Sequence, residues 1–586
     1  MTTGDIIVDV CLSETLDRLV LKLRDTRQRY ALAKSLNDLR PGLKVHHSAS
    51  GDWVAADVAD LLLELSSDID LRWSPEGRVF AENRRRAKRV HGRVYQRVEE
   101  IRSGGVDVAR RYLSDLDGLE VLDDHQVVNV AAMTLPDGYG LCVFDEQGAG
   151  KTVTFIYAFD TLVERDESDF ALIVAPKSMV PEWPCDFRRF KDDLYNVSVV
   201  TGSRQQKLAA MRTGADVLVT NFETPVSIEP ELTALLRGRQ GRAILVVDES
   251  FYAKNLDAKR TRALRRLREW CGRAFVLCGT PAPNSPQDLV QQFNIVDFGM
   301  TFSGVDVPED RTLARPLVQA AIEARGLFVR HLKADVLPDL PLKRFQRVLV
   351  PMQPEQKRLY ESALNEWVLQ LRGTDDESFR RELTSFFARR SALLQICSNP
   401  VSVSPGYSED PAKVLALDGL LEEAIGKRKE KVVLWSFYTA SIDVLVARYG
   451  RFNLVRYDGT VDDVALRREA IRRFQDDDAT MLFVGNPAAA GAGITLHRAR
   501  LAVYESMSNQ AAHYLQSLDR IHRRGQTRDV EYFVLLCDQS LEVCEYERLT
   551  SKERAAQDLL GDTVVEPVTR ETMLAEAEAA RSLFEF

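Results

Sequence analysis

The chain has 586 residues, of which 45% are hydrophobic and 28% charged, and its formal net charge at pH 7 is −9. This length is too great for one hydrophobic core and predicts three or four domains, whereas the lack of a long apolar run or a basic leader argues against a membrane or secreted protein. The eight cysteines include no Cys-x-x-Cys pair, so we expect no zinc ribbon, no disulfide framework and a reducing, cytoplasmic compartment. The acidic balance does not itself predict a nucleic-acid partner, but a local basic track would be sufficient for one.

Residues 1–118 predict a separate N-terminal accessory region that is mainly helical, with some strand (α+β). The expected elements are a helix from Ser13 to Leu39, a helix over 53–65, a strand over 71–80 and a helix over 82–102. Ser13 is a suitable N-cap for the first helix. Apolar residues at helical spacing indicate the last helix, which Gly104 and Gly105 would end.

Short apolar runs then alternate with helical segments, in two sets. Each run is four or five residues long and rich in Val, Ile and Leu, which is typical of strands buried on both faces of a parallel sheet. The runs lie at 141–144, 171–175, 217–220, 244–247 and 275–278, and again at 432–435, 454–457, 481–484, 501–504 and 532–536. We predict an α/β chain with a first lobe at 119–304, a helical inter-lobe segment at 305–408, a second lobe at 409–555 and a helical tail at 556–586.

A Gly-rich turn, Asp-Glu-Gln-Gly-Ala-Gly-Lys-Thr, lies between a predicted strand and a predicted helix, which is the context of a phosphate-binding loop. Gly148 and Gly150 allow backbone N–H groups to converge on phosphates, and the helix N-terminus adds its positive dipole end. Lys151 is predicted to neutralise phosphate charge, and Thr152 to ligate Mg²⁺. The other predicted nucleotide-binding residues of the turn are Asp145, which replaces the first glycine of the strict pattern, Glu146, Gln147 and Ala149.

Two further groups complete the predicted chemistry. Asp248 and Glu249 end a strongly apolar strand, so Asp248 is expected to hold the metal and Glu249 to activate the attacking water. Arg520 and Arg523 lie one helical turn apart far downstream, and arginines can stabilise the charge that develops in phosphoryl transfer. The sequence therefore predicts an ATP site in a cleft that closes on ATP.

These motifs, in this order, resemble those of the SNF2-like ATPases of helicase superfamily 2, the double-stranded-DNA translocases. The resemblance covers about 122–545 and includes Leu327–Lys343, which is similar to the inter-lobe sequence of that family. It implies two RecA-like lobes, with ATP and Mg²⁺ as cofactors. It also implies that Gln126 reads adenine, that Gly493 lies at a coupling loop, and that Arg520 and Arg523 are arginine-finger candidates beside Gln516.

A translocase must grip a nucleic-acid backbone with both lobes, through charged and polar groups. The candidate contacts are Lys177, Ser178, Thr220, Asn221 and Thr280 in the first lobe, and Ser436, Asn486 and Thr495 in the second. The basic segment 259–268 either lines the duplex or is a helix with a solvated basic face, and both readings stay open. For the basic cluster at 84–89, a solvated helix face is favoured over a DNA clamp.

The expected function is an ATP- and Mg²⁺-dependent translocase on double-stranded DNA, with sequence-independent binding and a possible protein partner at the N-terminal region. One alternative is a strand-separating helicase on DNA or RNA. The other is an ATP-gated nucleic-acid-binding switch with little turnover, since Phe251 and Thr495 stand where the family usually has histidine and asparagine. DNA-stimulated turnover of ATP would exclude the switch.

Overall fold

The structure is a computed structural model. It describes residues 6–39, 41–48, 51–65, 69–116, 118–253, 255, 258–279, 281–282, 285–461, 463–489, 494–508, 511–555 and 569–583. The chain divides into two compact units, Met1–Leu332 and Lys333–Phe586. Among the described helices, none has both the length and the apolarity that a bilayer crossing needs.

The first unit begins with a mixed five-stranded sheet. Its strands are β1 (Ile6–Leu12), β2 (Arg18–Lys22), β3 (His46–Ser48), β4 (Gly51–Ala55) and β5 (Ile69–Trp73), in the order β3-β4-β2-β1-β5. The helices here are Thr26–Leu39, Ala59–Leu62 and the long Pro75–Tyr112, which bends at Gly105 (φ 62°). The α+β expectation for this region is confirmed, because it contains a sheet and helices and its helical residues outnumber those in strands. Individual elements differ from the prediction: the segment from Ser13 to Leu39 contains a strand, a strand replaces the start of the helix predicted over 53–65, and the last helix continues past Gly105 to Tyr112.

The second part of the first unit is a seven-stranded sheet whose pairings are all parallel. Its strands are β6 (Gly140–Val143), β7 (Phe170–Val174), β8 (Val197–Val200), β9 (Val217–Thr220), β10 (Ala243–Asp248), β11 (Arg273–Leu277) and β12 (Phe328–Val329), in the order β12-β6-β11-β10-β7-β9-β8. The α-helices are Asp124–Met133, Lys151–Glu164, Glu182–Lys191, Arg204–Met211, Thr224–Ser227, Glu229–Gly238, Lys259–Arg268, Asp288–Asp297 and Arg311–Arg325. Strands β6, β7, β9, β10 and β11 are buried along their whole length, as their continuous apolar sequences predict.

The second unit contains a six-stranded sheet, also parallel throughout. Its strands are β13 (Lys343–Val350), β14 (Val432–Trp435), β15 (Leu454–Tyr457), β16 (Leu482–Gly485), β17 (Leu501–Tyr504) and β18 (Val530–Cys537), in the order β13-β18-β17-β14-β16-β15. The α-helices are Lys333–Val336, Pro354–Gly373, Asp376–Arg381, Leu383–Ser398, Ala412–Leu421, Thr439–Tyr449, Val464–Asp476, Ala511–Leu518, Leu541–Ala555 and Arg570–Ser582. The α/β fold class with two parallel-sheet lobes is therefore confirmed.

The inter-lobe segment differs from the sequence-based expectation, and the tail contains a helix. The region 305–408 is not wholly helical, because it supplies β12 to the first parallel sheet and β13 to the second. In the tail, the helix Arg570–Ser582 has a buried face, with Met573 and Ala577 in one hydrophobic cluster with the helix Pro354–Gly373. The helix predicted in the tail is therefore present over Arg570–Ser582 and packs as an integral part of the second unit.

Candidate active site

The predicted catalytic residues of the first unit follow the carboxyl ends of its parallel strands. The Gly-rich loop follows β6, the segment with Lys177 follows β7, Thr220 ends β9, and Asp248 ends β10. Because these strands are parallel and adjacent, their carboxyl ends lie along one edge of the sheet, where ligands bind in open α/β folds. The sheet topology therefore brings the loop and the carboxylates to the same edge.

The Gly-rich loop has the backbone conformation of a phosphate cradle. Gly148 and Gly150 both have left-handed φ angles, 85° and 91°, and the helix Lys151–Glu164 starts directly after them. The φ of Gly150 favours glycine, and a Cβ atom there would lie 2.2 Å from the Gln126 amide nitrogen, so Gln126 would have to move. The Lys151 Nζ donates to the Asp145 carbonyl at 2.9 Å and to the Glu146 carbonyl at 3.4 Å, which holds the ammonium over the loop.

Gln126 is the predicted adenine-reading residue, and its side chain contacts the loop. Its Oε1 accepts from the Asp123 backbone N–H at 3.0 Å in a capping box, and its Nε2 donates to the Ala149 carbonyl at 3.1 Å. The residue is only 4% exposed. The structure thus shows Gln126 as a support of the phosphate loop, and its contact with adenine stays a prediction.

Asp145, which replaces a glycine, lies fully buried beneath the loop. Its Oδ2 accepts from Asn129 Nδ2 at 2.5 Å, and its Oδ1 lies 2.9 Å from both the backbone N and the Nδ1 of His331. Sequence reasoning missed Asn129 and His331. The signal for Asn129 was a lone amide in the apolar run Val127–Ala132, one helical turn after Gln126.

The carboxyl groups of Asp248 and Glu249 are buried close to each other, so their negative charges repel. Asp248 and Glu249 are 3% and 2% exposed, and Glu249 has a left-handed φ of 50°, a conformation that is uncommon for residues other than glycine. Burial and the neighbouring Glu249 charge raise the pKa of Asp248 to about 7, although Lys151 and a hydrogen bond from Trp183 oppose the shift. The Trp183 indole Nε1 donates to Asp248 Oδ2 at 3.3 Å, and the Gln147 amide donates to Glu249 Oε1. The contact between Trp183 and Asp248 was not predicted from the sequence.

These residues fit a magnesium-bound nucleotide. A cation that binds Asp248 would relieve the repulsion that raises its pKa, and Thr152, half-buried in the first turn of the loop helix, offers a hydroxyl ligand. The glycine cradle and Lys151 supply the N–H groups and the positive charge that phosphates require. The residues that would hold Mg²⁺ are therefore Thr152 and Asp248, and the ion would supply Lewis-acid stabilisation of phosphoryl oxygens.

A chain of hydrogen bonds connects the carboxylate pair to the next loop along the edge. The Ser250 hydroxyl, fully buried, donates to Gln292 Oε1, and Gln292 Nε2 donates to the Pro281 carbonyl at 2.5 Å. Phe251, which stands where the family usually has histidine, stacks on Tyr252 with ring centroids 4.4 Å apart. Ser250 and Gln292 thus provide a polar route from the carboxylate strand to the loop after β11.

The predicted arginines lie together in the second unit. Arg520 Nη1 donates to the Ile494 carbonyl at 3.3 Å, and Arg523 Nη1 donates to the same carbonyl at 3.0 Å. Arg520 is 3% exposed and Gln516 is equally buried, whereas Arg523 is half-buried. One carbonyl therefore holds both guanidinium groups, and Gly493, next to it in sequence, lies outside the described residues.

The same segment is attached to the start of the second unit. Asp519 lies between two lysines, with Lys333 Nζ at 2.7 Å and Lys343 Nζ at 3.3 Å from its Oδ1. These charges lower the pKa of Asp519 to about 2 in spite of its burial. His522 Nε2 lies 2.7 Å from the Pro341 carbonyl, so two positions of the 516–526 segment contact the inter-lobe sequence.

The candidate nucleic-acid contacts of the first unit differ in exposure. Lys177 is exposed and Ser178 half-buried, both just after β7. Thr220 is fully buried and its hydroxyl donates to the Val200 carbonyl at 2.7 Å, so its side chain is not accessible to a nucleic-acid backbone. Asn221 is half-buried and its Oδ1 accepts from Thr224, whereas Thr280 lies outside the described residues.

In the second unit, Ser436 is also fully buried, and its hydroxyl donates to Glu505 Oε2 at 2.8 Å. Asn486 and Thr495 are half-buried, and the Asn486 amide donates to the Phe437 carbonyl at 2.7 Å. The hydroxyls of Thr220 and Ser436 are therefore buried and do not lie on the surface. Lys177 is the one candidate that combines exposure and charge among those the structure describes.

Some basic side chains of the two basic segments are engaged within the first unit. In the helix Lys259–Arg268, Arg268 is 1% exposed and donates to four carbonyls, and Arg266 pairs with Glu229. In the N-terminal cluster, Arg84 is buried and donates to the carbonyls of Phe298 and Asp57. Arg266, Arg268 and Arg84 are therefore engaged in internal contacts, whereas Arg86, Lys88 and Arg89 are exposed on the helix, as the interpretation of a solvated face predicts.

Comparisons with known proteins identify two domains in the chain. Residues 95–402, more than half of the chain, match the SNF2-related domain, and residues 412–525 match the helicase conserved C-terminal domain. Among solved structures, the Sulfolobus solfataricus SWI2/SNF2 ATPase core in complex with dsDNA aligns with 78% of this chain and 94% of its own, at 20% identity and a TM-score of 0.34.

Several curated relatives are similar over much of this chain. An uncharacterized ATP-dependent helicase of Mycoplasma pneumoniae is 25% identical over 455 residues, which cover 76% of this chain and 42% of the relative. The ISWI chromatin-remodeling complex ATPase ISW1 of Saccharomyces cerevisiae is 25% identical over 448 residues, 70% of this chain and 38% of the relative. The human DNA repair and recombination protein RAD54-like is 24% identical over 489 residues, 72% and 63% of the two chains. The chain thus spans 38–63% of the length of these three relatives, and through its domain matches it belongs to the SNF2-related family.

Proposed function

We propose that the protein is a Mg²⁺-dependent ATPase that translocates along double-stranded DNA. The observation that carries the proposal is the buried Asp248–Glu249 pair, whose excess negative charge lies at the same sheet edge as a glycine cradle and Lys151. A site with this charge balance is suited to a cation bound with a polyphosphate. Membership of the SNF2-related family supports ATP as that polyphosphate.

Each residue then has a defined chemical task. Lys151 and the loop N–H groups bind the phosphates. Glu249, the residue directly after β10, orients and activates water. Gln147, which donates to Glu249, is placed to orient that carboxylate. Arg520 and Arg523 are the arginine-finger candidates, because a guanidinium can stabilise the charge that develops on a transferred phosphoryl group.

Duplex DNA is the proposed substrate of movement. Relatives of this chain have names that link them to DNA repair and recombination and to chromatin remodelling. The exposed Lys177 and the half-buried Ser178, Asn486 and Thr495 are candidates for contact with phosphates rather than base edges. Such contacts give sequence-independent binding whose affinity falls steeply with salt.

ATP hydrolysis by wild type and Lys151→Ala, with no nucleic acid, duplex DNA, single-stranded DNA or duplex RNA, tests the proposal. We expect stimulation by duplex DNA that weakens with salt, and a loss in Lys151→Ala of roughly 10²–10³ in turnover, as for removal of a group that stabilises transition-state charge. Arg188→Ala, an exposed arginine of the first unit, is the control and should behave like wild type.

Other outcomes would lead elsewhere. A preference for single strands or RNA would favour a strand-separating helicase. Negligible turnover under every condition, with ATP still bound, would favour an ATP-gated switch and contradict the translocase.

A further inference from the structure

The inter-lobe sequence continues the phosphate-loop strand. Backbone N–H groups of Cys142, Phe144 and Glu146 donate to the carbonyls of Leu327, Val329 and His331, each at 2.9 Å. The pairing thus extends past β6 into the Gly-rich loop itself, because Glu146 is the second residue of that loop. Movement of the first loop residues would therefore displace the backbone at His331.

Side chains strengthen this attachment. Asp145, fully buried, is held by His331 through two contacts of 2.9 Å and by Asn129. Burial removes the water that would otherwise hydrogen-bond to this carboxylate, and the donors of His331 and Asn129 take its place. The His125 ring lies 5.6 Å from the His331 ring and contacts the Ala149 carbonyl at 2.8 Å through Nε2. Polar groups therefore bind the loop at both Asp145 and Ala149.

Two residues after His331, the chain contacts the segment 516–526, which contains Arg520 and Arg523 and is called the arginine segment below. Lys333, the first residue of the second unit, is 4% exposed; its Nζ lies 2.7 Å from Asp519 and 3.4 Å from the His522 carbonyl. Asp519 immediately precedes Arg520. The stretch from His331 to Lys333 is at most about 7 Å long when fully extended, so little slack separates the two attachments.

We propose that His331 and Lys333 are positioning residues that couple the phosphate loop to the arginine segment 516–526. The proposal rests on the proposed function, because it takes the loop as the nucleotide-binding element and the segment as the source of the arginines. When phosphates reorder the loop around Asp145, the His331 attachment transmits the change along Leu332 to Lys333, and from there to Asp519 and Arg520. The coupling is mechanical and covalent, and each attachment lies inside a single unit.

The decisive variant inserts one glycine between Leu332 and Lys333, which lengthens the connection and leaves both side-chain attachments present. Hydrogen exchange of peptides covering 516–526 is measured with and without a non-hydrolysable ATP analogue and Mg²⁺. In wild type we expect the analogue to slow exchange of this segment by at least about fivefold, within the range of common coupling energies. In the insertion variant that protection should disappear, while analogue affinity stays within about threefold of wild type.

Substitutions refine the test. His331→Ala should lose most of the protection, and His331→Gln, whose amide can still donate to Asp145, should recover it. His47→Ala is the matched control, because it removes another His–Asp pair, with Asp52, in the N-terminal sheet, and it should retain full protection. Thermal melting of each variant verifies that loss of protection is not loss of fold.

The outcomes separate the two proposals. Failure of wild type to bind the analogue would contradict the proposed function and, with it, this coupling. Binding without protection of 516–526 in wild type, or protection that persists in the glycine insertion, would overturn the coupling alone. Protection lost in a folded insertion variant that still binds the analogue would support it.

Discussion

Two buried aspartates, one in each unit, experience opposite electrostatic environments. Asp248 lies beside another carboxylate, and its pKa is raised to about 7. Asp519 lies between Lys333 and Lys343, and its pKa is lowered to about 2. Burial disfavours the charged form of both, so the neighbouring charges decide the difference. The negative charge of the first carboxylate is only partly offset by Lys151, which is expected of a cation-binding site, whereas the second lies between two lysines of the protein, which is expected of a structural anchor.

The largest expected effect concerns the arginines that the Asp519 anchor positions. Arg523→Ala should lower DNA-stimulated ATP turnover by roughly 10³–10⁵, because an arginine finger stabilises charge in the transition state. Arg524→Ala, an exposed neighbour in the same segment, should stay within about twofold of wild type. Steady-state hydrolysis measures both variants, and equal activities would show that Arg523 is not a finger.

Glu249→Gln tests whether the negative charge of Glu249 raises the pKa of Asp248. Loss of the general base should lower turnover by roughly 10²–10⁴ while nucleotide still binds. Removal of the neighbouring negative charge should also lower the pKa of Asp248, so Mg²⁺-dependent binding of a fluorescent ATP analogue should persist to lower pH than in wild type. An unchanged pH profile of binding between about pH 5.5 and pH 8 would contradict the electrostatic account.

Lys333→Met tests the anchor by removing one of its two cations. Breaking a buried pair costs about 3–5 kcal/mol when the remaining charge is left alone, and less is expected here because Lys343 stays 3.3 Å from Asp519. Chemical denaturation of the full chain measures the loss, and Lys343→Met should cost less, since Lys343 is more exposed. Identical losses in the two variants would mean that burial does not set the strength of the pairs.

The smallest expected effect is a pH dependence of stability from His522. Burial and the nearby Lys343 lower its pKa from 6.5 to about 4, so the folded protein resists protonation where the unfolded chain accepts it. Stability should therefore fall as pH decreases from 6.5 to about 4 and change no further from this group below that, a total of at most about 3 kcal/mol.

His522→Gln keeps an amide donor for the Pro341 carbonyl but cannot titrate. Its unfolding free energy should therefore depend less on pH than that of wild type across this window. Denaturation at several pH values measures the difference, and parallel pH profiles would refute the assignment to His522.

The local sequence was sufficient to predict the strands of the parallel sheets, but it was insufficient to predict those of the N-terminal region. Strands β9, β14, β15 and β17 begin and end at the predicted residues. Strands β9, β14 and β17 are buried along their whole length, as short apolar runs predict, whereas β15 alternates between buried and half-buried residues. The N-terminal strand β1 pairs with β2 and with the distant β5, and such pairing depends on tertiary contacts that the periodicity of one segment does not show.

The site divides in the same way. The strand–turn–helix around Gly148 and Gly150 and the burial of the carboxylate pair could be predicted, because both depend on the local sequence. The contact of His331 could not, since it reaches Asp145 from a position 186 residues later in the sequence. Thr220 and Ser436 were assigned to a nucleic-acid surface from polarity alone, and their hydroxyls are buried in internal hydrogen bonds. A polar side chain at the end of a strand can satisfy either need, and only packing distinguishes them.

The central claim is that ATP hydrolysis at the site of Lys151, Asp248 and Glu249 drives movement along duplex DNA. Displacement of a third strand from a DNA triplex by the full chain, with ATP and Mg²⁺, tests it most directly, because the flanking duplex need not be separated. We expect displacement by wild type and none by Lys151→Ala or Glu249→Gln, with no unwinding of a blunt duplex. ATP hydrolysis without displacement, or displacement that is unaffected in those variants, would contradict the account.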